Sequence, residues 1–170
     1  QNSESMSAYL EKGWLPLHEV GHGYEYDIKN KEIPLVDVFN NILAHTYERT
    51  YLNGDEGWLF NDDRWGRDLS MKNVRENGSY NSAGYGDKLG MFVYLLDFIG
   101  ENNFSEFNRL YREKNSTGDL KNKSAITIFN ELLSEITGYN FRDYFSAYKL
   151  NDNTNIIKDE KYSKYKNVFI

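Results

Sequence analysis

The chain has 170 residues, 39% of them hydrophobic and 27% charged, which is enough apolar material to bury the core of one domain and too much for a disordered tail. Its net charge of −6, with no cluster of Lys or Arg, argues against nucleic acid or an anionic membrane surface as partner, because phosphate binding needs concentrated positive charge. No apolar run approaches the roughly 20 residues of a bilayer span, and the absence of cysteine leaves His, Asp and Glu to hold any metal.

The first element is a helix over about residues 15–25, with Pro16 in its first turn, where the missing N–H costs nothing. Pro34 repeats the device and opens a longer helix over about 34–52, in which Leu35, Val38, Phe39, Ile42 and Thr46 share a face at 3.6-residue spacing. Asn53 and Gly54 end it. Residues 53–86, rich in Gly, Asn and Asp and carrying Trp58, Phe60 and Trp65, read as a long ordered loop. From Asp87 the apolar stripe of Leu89, Phe92, Val93, Leu96 and Ile99 predicts a helix to Gly100, and three more follow over about 104–113, 122–137 and 140–148. The tail over 151–170 could dock through Tyr162, Tyr165, Val168 and Phe169 as an irregular or extended segment. The expectation is a mainly α protein of five to six helices with one long ordered loop and little or no sheet.

The chemistry concentrates at His18-Glu19-Val20-Gly21-His22. Residues four apart on a helix lie on one face, so His18 and His22 can aim a nitrogen each at one ion, at the roughly 2.0–2.1 Å that zinc prefers. Glu19 projects about 100° round from His18, beside the metal, where a general base takes a proton from the attacking water. Packed histidines in a helical bundle are the plainer alternative, but three histidines in 170 residues rarely fall into this pattern by chance.

A zinc site needs a third protein ligand and an open fourth position. Asp37, near the start of the second helix, is the leading candidate for that ligand. Glu48 lies about 16 Å further along the same helix and cannot share the ion with it. Glu25 falls on the His18/His22 face one turn onward, where an outer or substrate-side role competes with that of a plain solvated carboxylate. His45 points away from Asp37 and reads as structural. The Asn- and Asp-rich stretches 53–57 and 151–155 lack the ordered spacing of a calcium loop.

Several blocks of residues resemble the enhancin-like zinc metallopeptidases, a family that includes viral enhancins and bacterial mucin-degrading proteases. Trp14, Pro16 and His18 to His22 are similar to its Trp and Pro before H-E-x-G-H, and Asp37 to Ile42 to its E-x-x-N-N-[IL] segment with the third ligand. Leu89 to Leu96, Phe98 to Gly100, Phe107 to Arg112, Ser134 to Asn140 and Tyr144-Phe145 resemble later stretches, so the resemblance covers about 13–148. Where the family has Glu this chain has Asp37, shorter by one methylene, so that segment must come closer to the histidines.

The resemblance implies a secreted or cell-surface zinc endopeptidase that hydrolyses glycoprotein or mucin-type substrates through a metal-activated water with Glu19 as general base. It also implies that residues 1–170 are the helical half of a catalytic domain within a larger multidomain chain, with 1–12 a linker or the start of the first helix. A side-chain donor should stabilise the oxyanion. Tyr85, between Gly84 and Gly86, is the candidate, against a packed tyrosine in a tight turn. Trp58 and Trp65 could stack on sugars or anchor their loop. The rivals are a non-catalytic module that binds glycan or protein and keeps the zinc helix as scaffold, and a purely structural helical bundle.

Overall fold

The computed structural model describes residues 14–25, 28, 35, 37–51, 64–150 and 164–168. They form seven helices: α1 Trp14–His22, α2 Phe39–Tyr51, α3 Arg64–Asn77, α4 Tyr85–Ile99, α5 Glu101–Ser116, α6 Ala125–Thr137 and α7 Arg142–Ala147. Two short strands, β1 Tyr139–Asn140 and β2 Lys166–Asn167, pair in parallel with Tyr139 opposite Lys166 and Asn140 opposite Asn167. The protein is mainly α, as its periodicity predicts. No described helix is long and apolar enough to cross a membrane. Two compact units divide the chain, residues 1–72 with 84–93 and residues 73–83 with 94–170.

In the first unit α1 packs against α2, and Gly21 sets how closely. A Cβ at this position would stand 2.7 Å from the Asn40 carbonyl oxygen and 3.0 Å from the Asn40 Cβ, so any side chain would force the helices apart. Leu35, Val38, Phe39 and Ile42 are buried together with Met71, Leu89, Met91, Phe92 and Val93. The expected helical stripe is therefore a core face, except that Thr46 is only partly buried and returns its hydroxyl to the Ile42 carbonyl at 2.9 Å.

Several boundaries differ from the sequence reading, beginning with α1, which ends at His22 and not near residue 25. The second helix begins at Phe39 and not near residue 34, because Asp37 takes a left-handed backbone with φ 61°, which no right-handed helix accommodates. The Val38 and Phe39 N–H groups both turn back to the Leu35 carbonyl, at 3.0 and 2.9 Å. Asp37 thus belongs to a turn before the helix and not to its first turn; Pro34 lies outside the described residues.

A further difference is α3, a 14-residue helix inside what reads as continuous loop. Its apolar residues hide the period: Met71 is buried, Leu69 is exposed, and Val74 is half-buried. Residues 53–63, with Trp58 and Phe60, lie outside the described residues. The next helix starts at Tyr85, two residues early, with the Gly84 carbonyl accepting the Asp87 and Lys88 N–H groups at 3.1 Å each. Asp87, in its first turn, suits the positive end of the helix dipole and accepts the Ser70 hydroxyl at 2.7 Å.

The second unit is built on rings. Phe107 and Phe129 stack with centroids 5.0 Å apart and planes 3° from parallel, and Phe145 lies 6.1 Å beyond Phe129. The helix expected at 104–113 extends to Glu101–Ser116, where Arg109 pairs with Glu106 and Glu113 at 2.7 Å each on its exposed face. The Ser124 hydroxyl caps α6 by accepting the Thr127 N–H at 3.1 Å, and Gly138 ends it at φ 75°. Part of the tail docks as expected: Val168 is buried and gives its N–H to the Asn140 carbonyl at 2.8 Å. Tyr162 and Phe169 lie outside the described residues.

Candidate metal centre

Among the described residues of the first unit, four polar ones are buried to 1% exposure or less: Glu25, Asn40, Asn41 and His45. Buried polar groups persist where hydrogen bonds compensate their desolvation, and three of these four surround the H-E-x-x-H helix. His18 and His22 lie edge to face on α1, with ring centroids 4.8 Å apart and planes at 83°. Asp37 reaches them from the turn before α2. Its Oδ1 is 3.4 Å from His22 Nε2 and 3.8 Å from His18 Nε2.

A tetrahedral site with bonds of about 2.05 Å has ligand-to-ligand edges of roughly 3.3 Å. The two separations from Asp37 Oδ1 are near this value, and one potential ligand atom of each residue lies within 4.8 Å of the others, so the three need only draw closer together to share one cation. Two neutral imidazoles and one carboxylate are an ordinary zinc donor set. The left-handed turn provides the close approach that a side chain shorter than Glu requires.

Each imidazole is held from behind. His22 Nδ1 is 3.0 Å from Glu25 Oε2, so Nδ1 carries the hydrogen and Nε2 presents its lone pair towards Asp37. Glu25 is therefore not a solvated carboxylate: it is buried and faces the rear nitrogen of His22. His18 Nδ1 is 3.0 Å from Asn41 Oδ1, which turns its Nε2 the same way. The Asn40 amide nitrogen lies 3.2 Å from the His18 carbonyl, 3.1 Å from His22 Nε2 and 3.1 Å from His18 Nδ1. It has two hydrogens, and His18 Nδ1 already bears one. They go to the His18 carbonyl and to His22 Nε2, and a cation held by His22 would have to displace Asn40 from that nitrogen.

Tyr85, the first residue of α4, brings its hydroxyl to the same place. The hydroxyl donates to the Asp37 carbonyl and accepts from the Asn41 amide. Burial, opposed by the Asn41 hydrogen bond and aided by the charges of Asp37 and Glu25, pushes its pKa up to about 12. Glu19 follows His18 on α1 with its side chain exposed to solvent. His45 is apart from this group: it is buried, with Nε2 3.4 Å from Arg49 Nη1, consistent with a structural role. The side chains of Glu48 and Trp65, and both candidate calcium stretches, lie outside the described residues.

Sequence reasoning assigned no role of their own to Asn40 and Asn41. The available signal was their position: they open the helix directly after Asp37, and a buried face with two consecutive amides needs partners.

An imidazole pair one helical turn apart, closed by an acid from the next segment and oriented from behind by buried acceptors, is the donor arrangement of a protein-bound divalent cation. Residues 2–149 match the family described as "Peptidase M60, enhancin and enhancin-like", and the chain belongs to that family of metallopeptidases. No curated protein and no solved structure matches the chain.

Proposed function

We propose that the protein is a zinc-dependent endopeptidase acting on glycoprotein or mucin-type substrates outside the cell. The observation that carries the metal part of this reading is the convergence of His18, His22 and Asp37, with one potential ligand atom of each within 4.8 Å of the others and Asp37 Oδ1 3.8 Å from His18 Nε2 and 3.4 Å from His22 Nε2. Family membership supports proteolysis, and the resemblance to mucin-degrading members supports the substrate class.

Zinc, when bound, would polarise the scissile carbonyl and acidify a water molecule. His18, His22 and Asp37 would hold the ion, with Glu25 and Asn41 keeping both Nε2 atoms turned to it. Glu19, exposed on the same helix, takes the proton of the attacking water and returns it to the leaving amine. Tyr85 is the proposed donor to the oxyanion. Its raised pKa keeps the phenol protonated, the state a donor needs, and its side chain is half-exposed, so a substrate carbonyl can compete for a hydroxyl now given to Asp37.

The test is zinc content by elemental analysis, followed by mucin and casein cleavage compared with Glu19→Gln. Stoichiometric zinc with cleavage lost in the variant supports the peptidase. Metal-free, inactive protein with affinity for glycan would replace it with a binding module.

A further inference from the structure

We propose that Asn41 is a positioning residue whose single carboxamide fixes both the metal-facing nitrogen of His18 and the turn that carries Asp37. The proposal rests on the metal-centre reading above and extends it to a residue outside the ligand set. Asn41 is almost fully buried, so its amide has no water to turn to. Its nitrogen lies 2.5 Å from the Asp37 carbonyl oxygen and also meets the Tyr85 hydroxyl. A backbone carbonyl can only accept, so the NH2 end must face it, and this fixes the orientation of the amide. The oxygen end then faces His18 Nδ1 at 3.0 Å. That oxygen also can only accept. The Asn40 amide nitrogen, 3.1 Å from the same Nδ1, has the His18 carbonyl and His22 Nε2 as acceptors for its two hydrogens, so the hydrogen sits on Nδ1, and Nε2, 3.8 Å from Asp37 Oδ1, is the unprotonated nitrogen.

The other half of the amide acts on the backbone. Asp37 stands at φ 61°, a conformation that costs an ordinary residue energy and persists only where its surroundings hold it. Its carbonyl receives two donors, the Asn41 amide and the Tyr85 hydroxyl. Helical side chains lean toward the N-terminus, so a residue in the first turn of α2 reaches back to the carbonyl four positions earlier. The spacing of Asp37 and Asn41 is therefore part of the device. Aspartate in place of Asn41 would keep the acceptor and lose the donor; leucine would lose both.

The experiment uses the whole chain labelled with 15N-histidine, which contains three histidines. Long-range proton–nitrogen correlation of the metal-free protein reads which nitrogen of His18 is protonated, and zinc affinity is measured by competition with a chromophoric chelator. Expected are a proton on His18 Nδ1 in the wild type, its redistribution toward Nε2 in Asn41→Ala, and zinc affinity lower by roughly 10–100-fold in that variant. Asn41→Asp serves where Asn41→Ala does not fold. It keeps the proton on Nδ1 yet still binds zinc more weakly, because the Asp37 turn has lost its donor. An unchanged His18 in Asn41→Ala, or wild-type zinc affinity in either variant, overturns the proposal. A wild-type protein that takes up no zinc defeats the metallopeptidase reading instead, while the metal-free spectra still decide whether Asn41 sets the His18 proton.

Discussion

His22 Nδ1 and Glu25 Oε2 lie 3.0 Å apart, and Glu25 is completely buried. A carboxylate withdrawn from water and turned onto the rear nitrogen of an imidazole makes the front nitrogen a stronger and better-aimed ligand. Glu25→Ala is expected to weaken zinc binding by roughly 10–100-fold, whereas Glu25→Gln, which retains an acceptor, should lose less. Chelator competition on both variants measures this, and equal affinities for wild type and Glu25→Ala would remove Glu25 from the site.

Gly21 makes a separate prediction about packing. With 2.7 Å between its virtual Cβ and the Asn40 carbonyl oxygen, Gly21→Ala must move backbone, since no flexible side chain stands in the way to yield. Overpacking of this kind costs about 1–3 kcal/mol. Urea unfolding should show that loss. The displacement of Asn40 and Asn41 should also lower zinc affinity, although residue 21 is not itself a ligand.

In the second unit, Phe107 is buried against Phe129 with additional ring contacts to Phe104 and Tyr111. Phe107→Ala should cost about 3–5 kcal/mol through lost transfer energy and the cavity left behind. A matching fall in the midpoint of thermal or urea unfolding checks it; a change below about 1 kcal/mol would mean that this stack is not a core.

Alkaline pH should act through tyrosines. Burial raises the pKa of Tyr144 well above 10 and lifts Tyr148 in the same direction, and Tyr85 is pushed up to about 12. These groups hold their protons in the folded state at pH values where the unfolded chain has begun to release them. Their contribution to stability is complete below about pH 10 and is lost as pH rises through the folded values. Absorbance of phenolate near 295 nm, compared between wild type and Tyr85→Phe, should show the Tyr85 hydroxyl ionising close to pH 12. Ionisation near 10 would contradict the burial that raises it.

The sequence was most legible where one physical constraint dominated. The stripe from Leu89 to Ile99 and the capped segment from Ser124 to Gly138 each became a helix, because apolar periodicity and end signals agree there. The pairing of His18 with His22 was readable for the same reason: spacing on a helix fixes direction. Helix α3 was hidden because, among its described apolar side chains, only Met71 is buried while Leu69 is exposed and Val74 half-buried, so the sequence there carries no apolar stripe. The start of α2 was misplaced because a helix-opening proline is visible in sequence, whereas a left-handed aspartate held by Asn41 and Tyr85 depends on partners far along the chain. The buried role of Glu25 was equally unreadable, since an acid one turn beyond two histidines looks the same whether it faces water or a ring.

The most direct test of the central claim is anomalous scattering at the zinc edge from crystals grown with zinc. The account predicts one strong peak at about 2.0–2.1 Å from His18 Nε2, His22 Nε2 and Asp37 Oδ1. Absence of a peak there, or a zinc ion bound elsewhere with His22 Nε2 still engaged by Asn40, would contradict it.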